Sequence, residues 1–234
     1  MKILVIPDIH LKPWMFARAS ELMQTVKTDM AVCLMDIADD WGQQYNLDLY
    51  VQTYDAAIRF AKENPDTLWC YGNHDLCYLW DQRESGYSAA ASWTVREKLG
   101  ELKETVPDKA QMAYIHRIGS VLFSHGGMSD YFVRKSISSE KYDDIDAVVK
   151  TINSMGCTKM WTDGSPIWYR PQYGAARMYK PVKLLQVLGH TPVTEITREK
   201  NIYPVTSFRP TGTGDRTGHR NSCTWIQRRG SMPG

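Results

Sequence analysis

Residues 68–80 read LWCYGNHDLCYLW, and the character of the sequence changes abruptly in the middle of this stretch. An apolar run typical of a buried strand ends at Gly72, and an amide, an imidazole and a carboxylate follow at Asn73, His74 and Asp75. In open α/β sheets, ligands bind at the carboxyl ends of the strands. We therefore interpret the polar triplet as a candidate site at the end of a core strand.

Strand-like and helix-like segments alternate along the N-terminal half of the chain. Apolar runs at 2–6, 30–36 and 67–71 predict strands, and helical periodicity at 13–26 and 46–64 predicts the helices between them. This order predicts right-handed crossovers and a largely parallel sheet.

The C-terminal half mixes the two kinds of element. Further predictions are a helix near 92–104, two strands around Gly119, a helix at 143–154, an aromatic loop-rich stretch at 160–179, a strand within 183–190 and short strands within 194–227. No repeat, linker or low-complexity tract divides the chain, so we expect an α/β protein with a single domain over residues 1–234.

Composition excludes several classes of protein. A formal net charge of +2 gives no global field toward nucleic acid or membranes. Five cysteines without a paired CxxC spacing argue against a disulfide framework or a thiolate zinc site. The apolar runs are too short to span a membrane, and Asp8 and His10 interrupt the N-terminal one, which argues against a signal peptide. We expect a cytoplasmic protein.

Polar residues also follow the other predicted strands. The five strand ends carry Asp8 and His10, Asp36 and Asp39, Asn73 and His74, His125, and His190. Oxygen and imidazole ligands without thiolates suit divalent ions such as Mn, Fe or Zn. Asp8 and His10 project from the same side of an extended segment. Gly72, Gly126 and Gly189 would let the backbone pass close to a metal ion.

The ordered set DxH, DxxD, GNHD, HGG and GHT resembles the signature of calcineurin-like metallophosphoesterases. Its HGG and GHTP forms are most similar to the branch that holds the Ser/Thr phosphoprotein phosphatases and the bacterial diadenosine tetraphosphatases. The resemblance spans residues 8–192. It implies two mixed β-sheets packed as a sandwich and flanked by helices.

The resemblance also implies a site with two divalent metal ions, Mn²⁺ first and Fe, Zn or Ni as alternatives. Asp8, His10 and Asp36 would hold one ion, and Asp36, Asn73, His125 and His190 would hold the other. A hydroxide bridging the two ions would attack phosphorus. His74, paired with Asp39, would be the catalytic general acid toward the leaving oxygen. We expect Asp75 to cap a helix starting at Leu76.

The chain departs from the family pattern at several positions. Met35 replaces the glycine that usually begins the second motif, and Asp40 replaces the arginine that grips substrate phosphate in the phosphatase branch. A carboxylate there would repel a phosphate dianion. Arg170, within SPIWYRP at 165–171, is the candidate replacement. Pro192 stands where many superfamily members have another histidine, which the phosphatase branch also lacks.

The leading prediction is a phosphatase acting on phosphate monoesters, whether phosphoprotein, nucleotide or nucleic-acid end. A dinucleoside polyphosphate hydrolase, a phosphodiesterase or nuclease, and a non-catalytic binding module on the same fold stay as alternatives. Arg170 could instead stack on Trp168 or Tyr169, and His116 and His219 are interpreted as structural or surface residues. A basic C-terminal stretch gives weak support for nucleic acid as a partner; its arginines are Arg209, Arg216, Arg220, Arg228 and Arg229.

Overall fold

A computed structural model describes residues 1–193, 202–205 and 224–227 of the chain. In this part the strands are β1 Lys2–Ile6, β2 Met30–Cys33, β3 Leu68–Cys70, β4 Met112–Ala113, β5 Ile115–Ile118, β6 Val121–Ser124, β7 Leu185–Leu188, β8 Ile202–Pro204 and β9 Thr224–Gln227. The α-helices are α1 Trp14–Val26, α2 Leu47–Glu63, α3 Asn73–Trp80, α4 Ser92–Thr105, α5 Asp130–Ser136, α6 Ile145–Asn153 and α7 Cys157–Met160.

Two sheets form the centre of the fold. The first has the order β4-β3-β2-β1-β9; its first four strands run parallel and β9 pairs antiparallel with β1. The second has the order β5-β6-β7-β8, in which β5 and β6 form an antiparallel hairpin and the remaining pairs are parallel. The expected sandwich of two mixed sheets flanked by helices is therefore confirmed.

Alternation along β1 explains how the layers stack. Ile3 and Val5 pack into a cluster with Phe123 and Val187 of the second sheet, so this cluster lies between the sheets. The alternate residues of the same strand belong to a different cluster, which packs against α1, α2 and α4. Successive side chains of a strand point to opposite faces, and both faces of β1 are buried, which explains its continuous apolar sequence.

A third cluster covers the other face of the second sheet. It joins Leu122 of β6 to Phe132 and Val133 of α5 and to Val148 and Ile152 of α6.

None of the described helices is long and apolar enough to cross a membrane.

The structure corrects one boundary and adds elements that the sequence did not reveal. Helix α3 begins at Asn73, not at Leu76, so the GNHD residues form its first turn. Helices α5 and α7 were not predicted because short segments carry too few residues for a periodic signal. Of the short strands expected within 194–227, β8 and β9 are described; His219 and the basic arginines lie outside the described residues.

Candidate active site

The predicted ligand residues meet at the carboxyl ends of strands from both sheets. Asp8 and His10 follow β1, Asp36 follows β2, Asn73 follows β3, His125 follows β6 and His190 follows β7. All of them are buried except His10, which is partly buried. Five of the six line a cavity of about 350 Å³, and His125 lies behind it. The carboxyl ends of strands in the two sheets thus place these side chains around one space.

The backbone at these strand ends is left-handed at several non-glycine residues. The φ angles are 43° at His10, 43° at Asp36, 63° at Asp39 and 66° at His190. Met35, which replaces the family glycine, has a φ of 54° and a fully buried side chain. L-residues adopt this conformation at a cost, and such residues concentrate at functional sites where the surrounding packing holds them.

Three candidate ligand atoms surround the Nε2 atom of His125. Asp36 Oδ2 lies 3.0 Å away, Asn73 Oδ1 3.1 Å and His190 Nδ1 3.1 Å. The Nδ1–H of His125 donates to the Leu34 carbonyl at 2.9 Å, which leaves Nε2 for the cluster. In octahedral coordination, metal–ligand bonds of about 2.1 Å at right angles place neighbouring ligand atoms about 3.0 Å apart. The donor set and its spacing therefore fit one divalent cation.

A second group of potential ligands shares Asp36 with the first. One ligand atom each from Asp8, His10 and Asp36 lies within 4.8 Å of the others. The Nδ1–H of His10 donates to the Asp39 carbonyl at 2.8 Å, so its Nε2 faces Asp36 Oδ2 at 3.8 Å. Hydrogen bonding of the distal nitrogen is how proteins orient ligating imidazoles.

Two buried atoms in the site have no hydrogen-bond partner in the described part of the chain. They are Asp8 Oδ1 and His190 Nε2. Asp8 Oδ2 accepts from the His190 amide at 2.8 Å, so only one oxygen of this carboxylate is satisfied. A buried polar atom without a hydrogen bond is costly and calls for an explanation such as an ion. A cation bound by these residues supplies one.

The protein alone holds these groups in unusual protonation states. Burial raises the pKa of Asp8 to about 7 and lowers the pKa of His10 to about 4. Burial also opposes a charge on His125, but the carboxylates of Asp36 and Asp8 outweigh it and raise its pKa to about 9. Buried carboxylates in close contact need positive charge nearby. A divalent cation would supply this charge while the imidazoles stay neutral.

Two glycines allow the ligand carboxylates to lie against the backbone. A Cβ atom at Gly72 would stand 1.9 Å from Asp36 Oδ1, and a Cβ at Gly189 would stand 2.1 Å from Asp8 Oδ1. No side chain fits at either position without moving the carboxylate. The sequence predicted that the backbone passes close to a metal ion at these glycines; the structure shows it passing close to the carboxylates of Asp36 and Asp8.

Asp75 does more than cap a helix. As the third residue of α3, it accepts from the Gly72 amide at 3.0 Å, and it also accepts from the amides of Asp36 and Ile37 at 2.9 Å each. A single buried carboxylate thus joins the start of α3 to the loop after β2, and this fixes Asp36 relative to Asn73.

His74 and Asp39 form the expected pair. His74 Nδ1 lies 3.0 Å from Asp39 Oδ2, and Asp39 Oδ1 accepts from the hydroxyls of Tyr50, at 2.9 Å, and Tyr78. Burial works against a charged imidazole, but the carboxylate of Asp36 and the hydrogen bond to Asp39 raise the pKa of His74 to about 9. His74 also lines the cavity.

Asp40 is not left as an isolated negative charge. The ammonium of Lys12 lies 3.4 Å from Asp40 Oδ2 and donates to the His10 carbonyl at 2.9 Å. Asp40 does not line the cavity, whereas its neighbour Trp41 does. The ring centroid of Trp41 lies 5.6 Å from that of His10 and 5.5 Å from that of His74. The repulsion expected from Asp40 is thus offset by a neighbouring cation.

Arg170 lies on the cavity wall, delivered by the 165–171 segment. That segment docks through its backbone: the amide of Gly126 donates to the Pro166 carbonyl at 2.6 Å, and the amide of Gly127 donates to Tyr169 at 2.8 Å. No described carboxylate pairs with the Arg170 guanidinium, and no described aromatic ring stacks on it. Trp168 packs instead against His190, with centroids 5.5 Å apart.

Glu84 is a site residue that the sequence did not reveal. It lines the cavity, and both of its carboxylate oxygens accept from the Asn73 amide nitrogen, at 2.8 and 2.9 Å. Burial raises its pKa to about 7, against the opposing influence of the nearby His74. Glu84 lies in the loop between α3 and α4, where no strand end or periodic pattern marks it.

Comparison with known proteins adds the family. The family described as Calcineurin-like phosphoesterase matches residues 1–230 of the chain. The chain belongs to the calcineurin-like phosphoesterases. This phosphoesterase is therefore a metal-dependent enzyme that hydrolyses phosphoric esters, and its buried carboxylate and imidazole clusters are candidate sites for the divalent ions that the family uses. Comparison with curated proteins found no matching sequence.

Solved structures resemble this phosphoesterase in fold. A cold-active protein-tyrosine phosphatase of a psychrophile, Shewanella sp., superimposes with a TM-score of 0.54 at 16% identity, over 87% of this chain and 70% of that chain. A mutant cold-active protein tyrosine phosphatase gives a TM-score of 0.50 at 15% identity over the same shares. At such identities the likeness shows the fold alone.

His116 is structural, as the sequence suggested. It lies buried in β5, and its Nε2 is 3.1 Å from the Trp69 carbonyl of β3, so it joins the two sheets away from the cavity. Burial lowers its pKa.

Proposed function

We propose that this phosphoesterase is a phosphomonoesterase that works with two divalent metal ions, Mn²⁺ first among them. Asp8, His10 and Asp36 hold one ion; Asp36, Asn73, His125 and His190 hold the other. The observation that carries the proposal is that one cavity joins these ligands to the His74–Asp39 pair and to Arg170. Bound there, the ions would neutralise phosphoryl charge and lower the pKa of water toward neutrality.

The protein's own residues contribute a general acid, His74, to bond cleavage. Nδ1 of His74 is engaged with Asp39, which leaves Nε2 to give a proton to the leaving oxygen. The two tyrosine hydroxyls that donate to the other oxygen of Asp39 hold this carboxylate in place. A general acid placed in this way contributes about 10²–10⁴-fold to the rate, most for poor leaving groups.

Arg170 supports a monoester over a diester. A monoester dianion carries one more negative charge than a diester, and a guanidinium binds phosphate oxygens with two parallel donors. Because no carboxylate among the described residues neutralises Arg170, its charge is available to the substrate. We assign Arg170 as the replacement for the arginine that Asp40 displaces.

The proposal also covers the branch of the family and the class of substrate. We place the chain in the branch with Ser/Thr phosphoprotein phosphatases and diadenosine tetraphosphatases, acting in the cytoplasm as a single domain. Phosphopeptides, nucleotides and nucleic-acid ends form the substrate panel. Phosphotyrosine peptides belong in it because the similar folds include protein-tyrosine phosphatases.

The test is hydrolysis by the Mn²⁺-loaded protein of p-nitrophenyl phosphate and bis(p-nitrophenyl) phosphate, measured side by side. Both release the same chromophore, so the ratio of kcat/KM values reports the preference for one or two ester groups. We expect the monoester to be the better substrate. A preference for the diester contradicts the proposal and favours a phosphodiesterase or nuclease. A higher kcat/KM for diadenosine polyphosphates than for either ester also contradicts it and favours a dinucleoside polyphosphate hydrolase.

A further inference from the structure

The side-chain amide of Asn73 has two chemically different ends. One end, Oδ1, points at His125 Nε2 from 3.1 Å, and the other end, Nδ2, points at Glu84. Only the oxygen can bind a cation, because the amide nitrogen carries hydrogens and no available lone pair. Which end faces the ligand cluster therefore decides whether Asn73 can bind a metal ion at all.

Glu84 settles the orientation through its geometry. Both carboxylate oxygens receive hydrogen bonds from the same Nδ2 group, at 2.8 and 2.9 Å, and the Asn73 side chain is almost fully buried. A carboxylate only accepts hydrogen bonds, so rotating the amide by half a turn would set its oxygen against two oxygens. The flipped orientation is therefore excluded while Glu84 is ionised.

The loop that carries Glu84 is itself anchored. Ser88 donates its amide to the Tyr78 hydroxyl at 2.8 Å, and its hydroxyl donates to the Gln44 carbonyl and accepts from the Ala91 amide at 2.9 Å. Ser88 is buried, so the loop folds back over α3 and is held there. These hydrogen bonds of Ser88 hold the loop, and with it Glu84, next to Asn73.

We infer that Glu84 is a positioning residue for metal binding: it holds the amide of Asn73 so that the oxygen faces the ion shared with Asp36, His125 and His190. This inference rests on the ligand role of Asn73 proposed above. Residues that orient ligands from behind typically account for about 10–100-fold in metal affinity.

The variant Glu84→Ala tests the inference through Mn²⁺ binding, measured by isothermal titration calorimetry at mildly alkaline pH. We expect affinity for one of the two ions to fall about 10–100-fold. The other ion should bind as in the unmodified protein. Glu84→Gln keeps one acceptor oxygen and should lose less. Glu97→Ala, an exposed glutamate on α4, is the matched control and should bind both ions normally.

A double-mutant cycle separates orientation from simple structural support. In Asn73→Asp the ligand has two equivalent oxygens and needs no orienting partner, so adding Glu84→Ala should cost no further affinity. An equal loss in both backgrounds overturns the inference. If Asn73→Ala leaves two-ion binding intact, the proposed ligand role itself fails; if Asn73→Ala weakens binding and Glu84→Ala does not, only the inference fails.

Discussion

Replacing Gly72 by alanine perturbs the centre of the site with a single methyl group. The new Cβ would lie 1.9 Å from Asp36 Oδ1, 2.6 Å from Asp36 Cγ and 3.0 Å from His125 Nδ1. Real Cβ contacts essentially never fall below 3.0 Å, so the Asp36 carboxylate has to retreat by roughly 1 Å. Asp36 is the one residue proposed to bind both ions.

The Asp36 carboxylate cannot move away without losing favourable contacts. Its Oδ1 accepts from the His74 amide at 2.9 Å, and its Oδ2 lies 3.0 Å from His125 Nε2. Moving it breaks these contacts, and overpacking of this kind costs about 1–3 kcal/mol of stability. A displacement of about 1 Å at a reacting centre reduces turnover about 10²-fold. We expect that loss, together with weaker binding of both ions.

Three measurements on Gly72→Ala check this reasoning: Mn²⁺ affinity by calorimetry, kcat on p-nitrophenyl phosphate, and the unfolding free energy in the presence of a chelator. Gly100→Ala is the matched control, because a Cβ at Gly100 in α4 meets nothing within 4 Å. That variant should keep its activity and gain about 0.5–1 kcal/mol from improved helix propensity. A Gly72→Ala protein with two tightly bound ions and normal turnover would refute the proposed place of Asp36 in the site.

Two further predictions concern histidines. We expect His74→Ala to retain both ions but to lose about 10²–10⁴-fold in turnover on alkyl phosphates, and less on p-nitrophenyl phosphate, whose leaving group needs little protonation; equal losses on the two substrates would contradict the general-acid role. At His116, burial lowers the pKa of the imidazole in the folded protein, whereas in the unfolded chain the imidazole binds a proton near pH 6.5. The unfolded state therefore binds more protons, and the free energy of unfolding should fall as the pH drops below about 6.5. In His116→Gln, urea unfolding with a chelator present should therefore show a pH slope shallower by up to about 1.4 kcal/mol per unit; identical slopes would show that His116 does not titrate this way.

That the candidate ligands lie close together could be predicted from the sequence in part, because it depends on topology. Strands of a parallel sheet end at a common edge, so residues that follow successive strands become neighbours however far apart they lie in the chain. His190 and Asp8 are 182 positions apart, yet the His190 amide donates to the Asp8 carboxylate. Asp8 follows a strand of the first sheet and His190 a strand of the second, so the stacking of the two sheets also had to bring them together.

Loop conformation explains what the sequence did not reveal. Glu84 approaches Asn73 because the loop after α3 folds back and is anchored by Ser88, and no pattern in the residues predicts that path. The salt bridge of Asp40 with Lys12 likewise joins two strand-end loops, so Asp40 alone suggested a repulsion that Lys12 offsets. Met35 departs from a glycine motif, but its backbone is left-handed, a conformation that glycine adopts readily, and its side chain is fully buried.

The central claim is that these strand-end residues bind two divalent ions that share Asp36. Anomalous diffraction from crystals grown with Mn²⁺ tests it most directly. We predict two peaks, one among Asp8, His10 and Asp36 and the other among Asp36, Asn73, His125 and His190, with both weakened in crystals of Asp36→Asn. A single peak, peaks elsewhere on the protein, or two full peaks in Asp36→Asn would contradict the account.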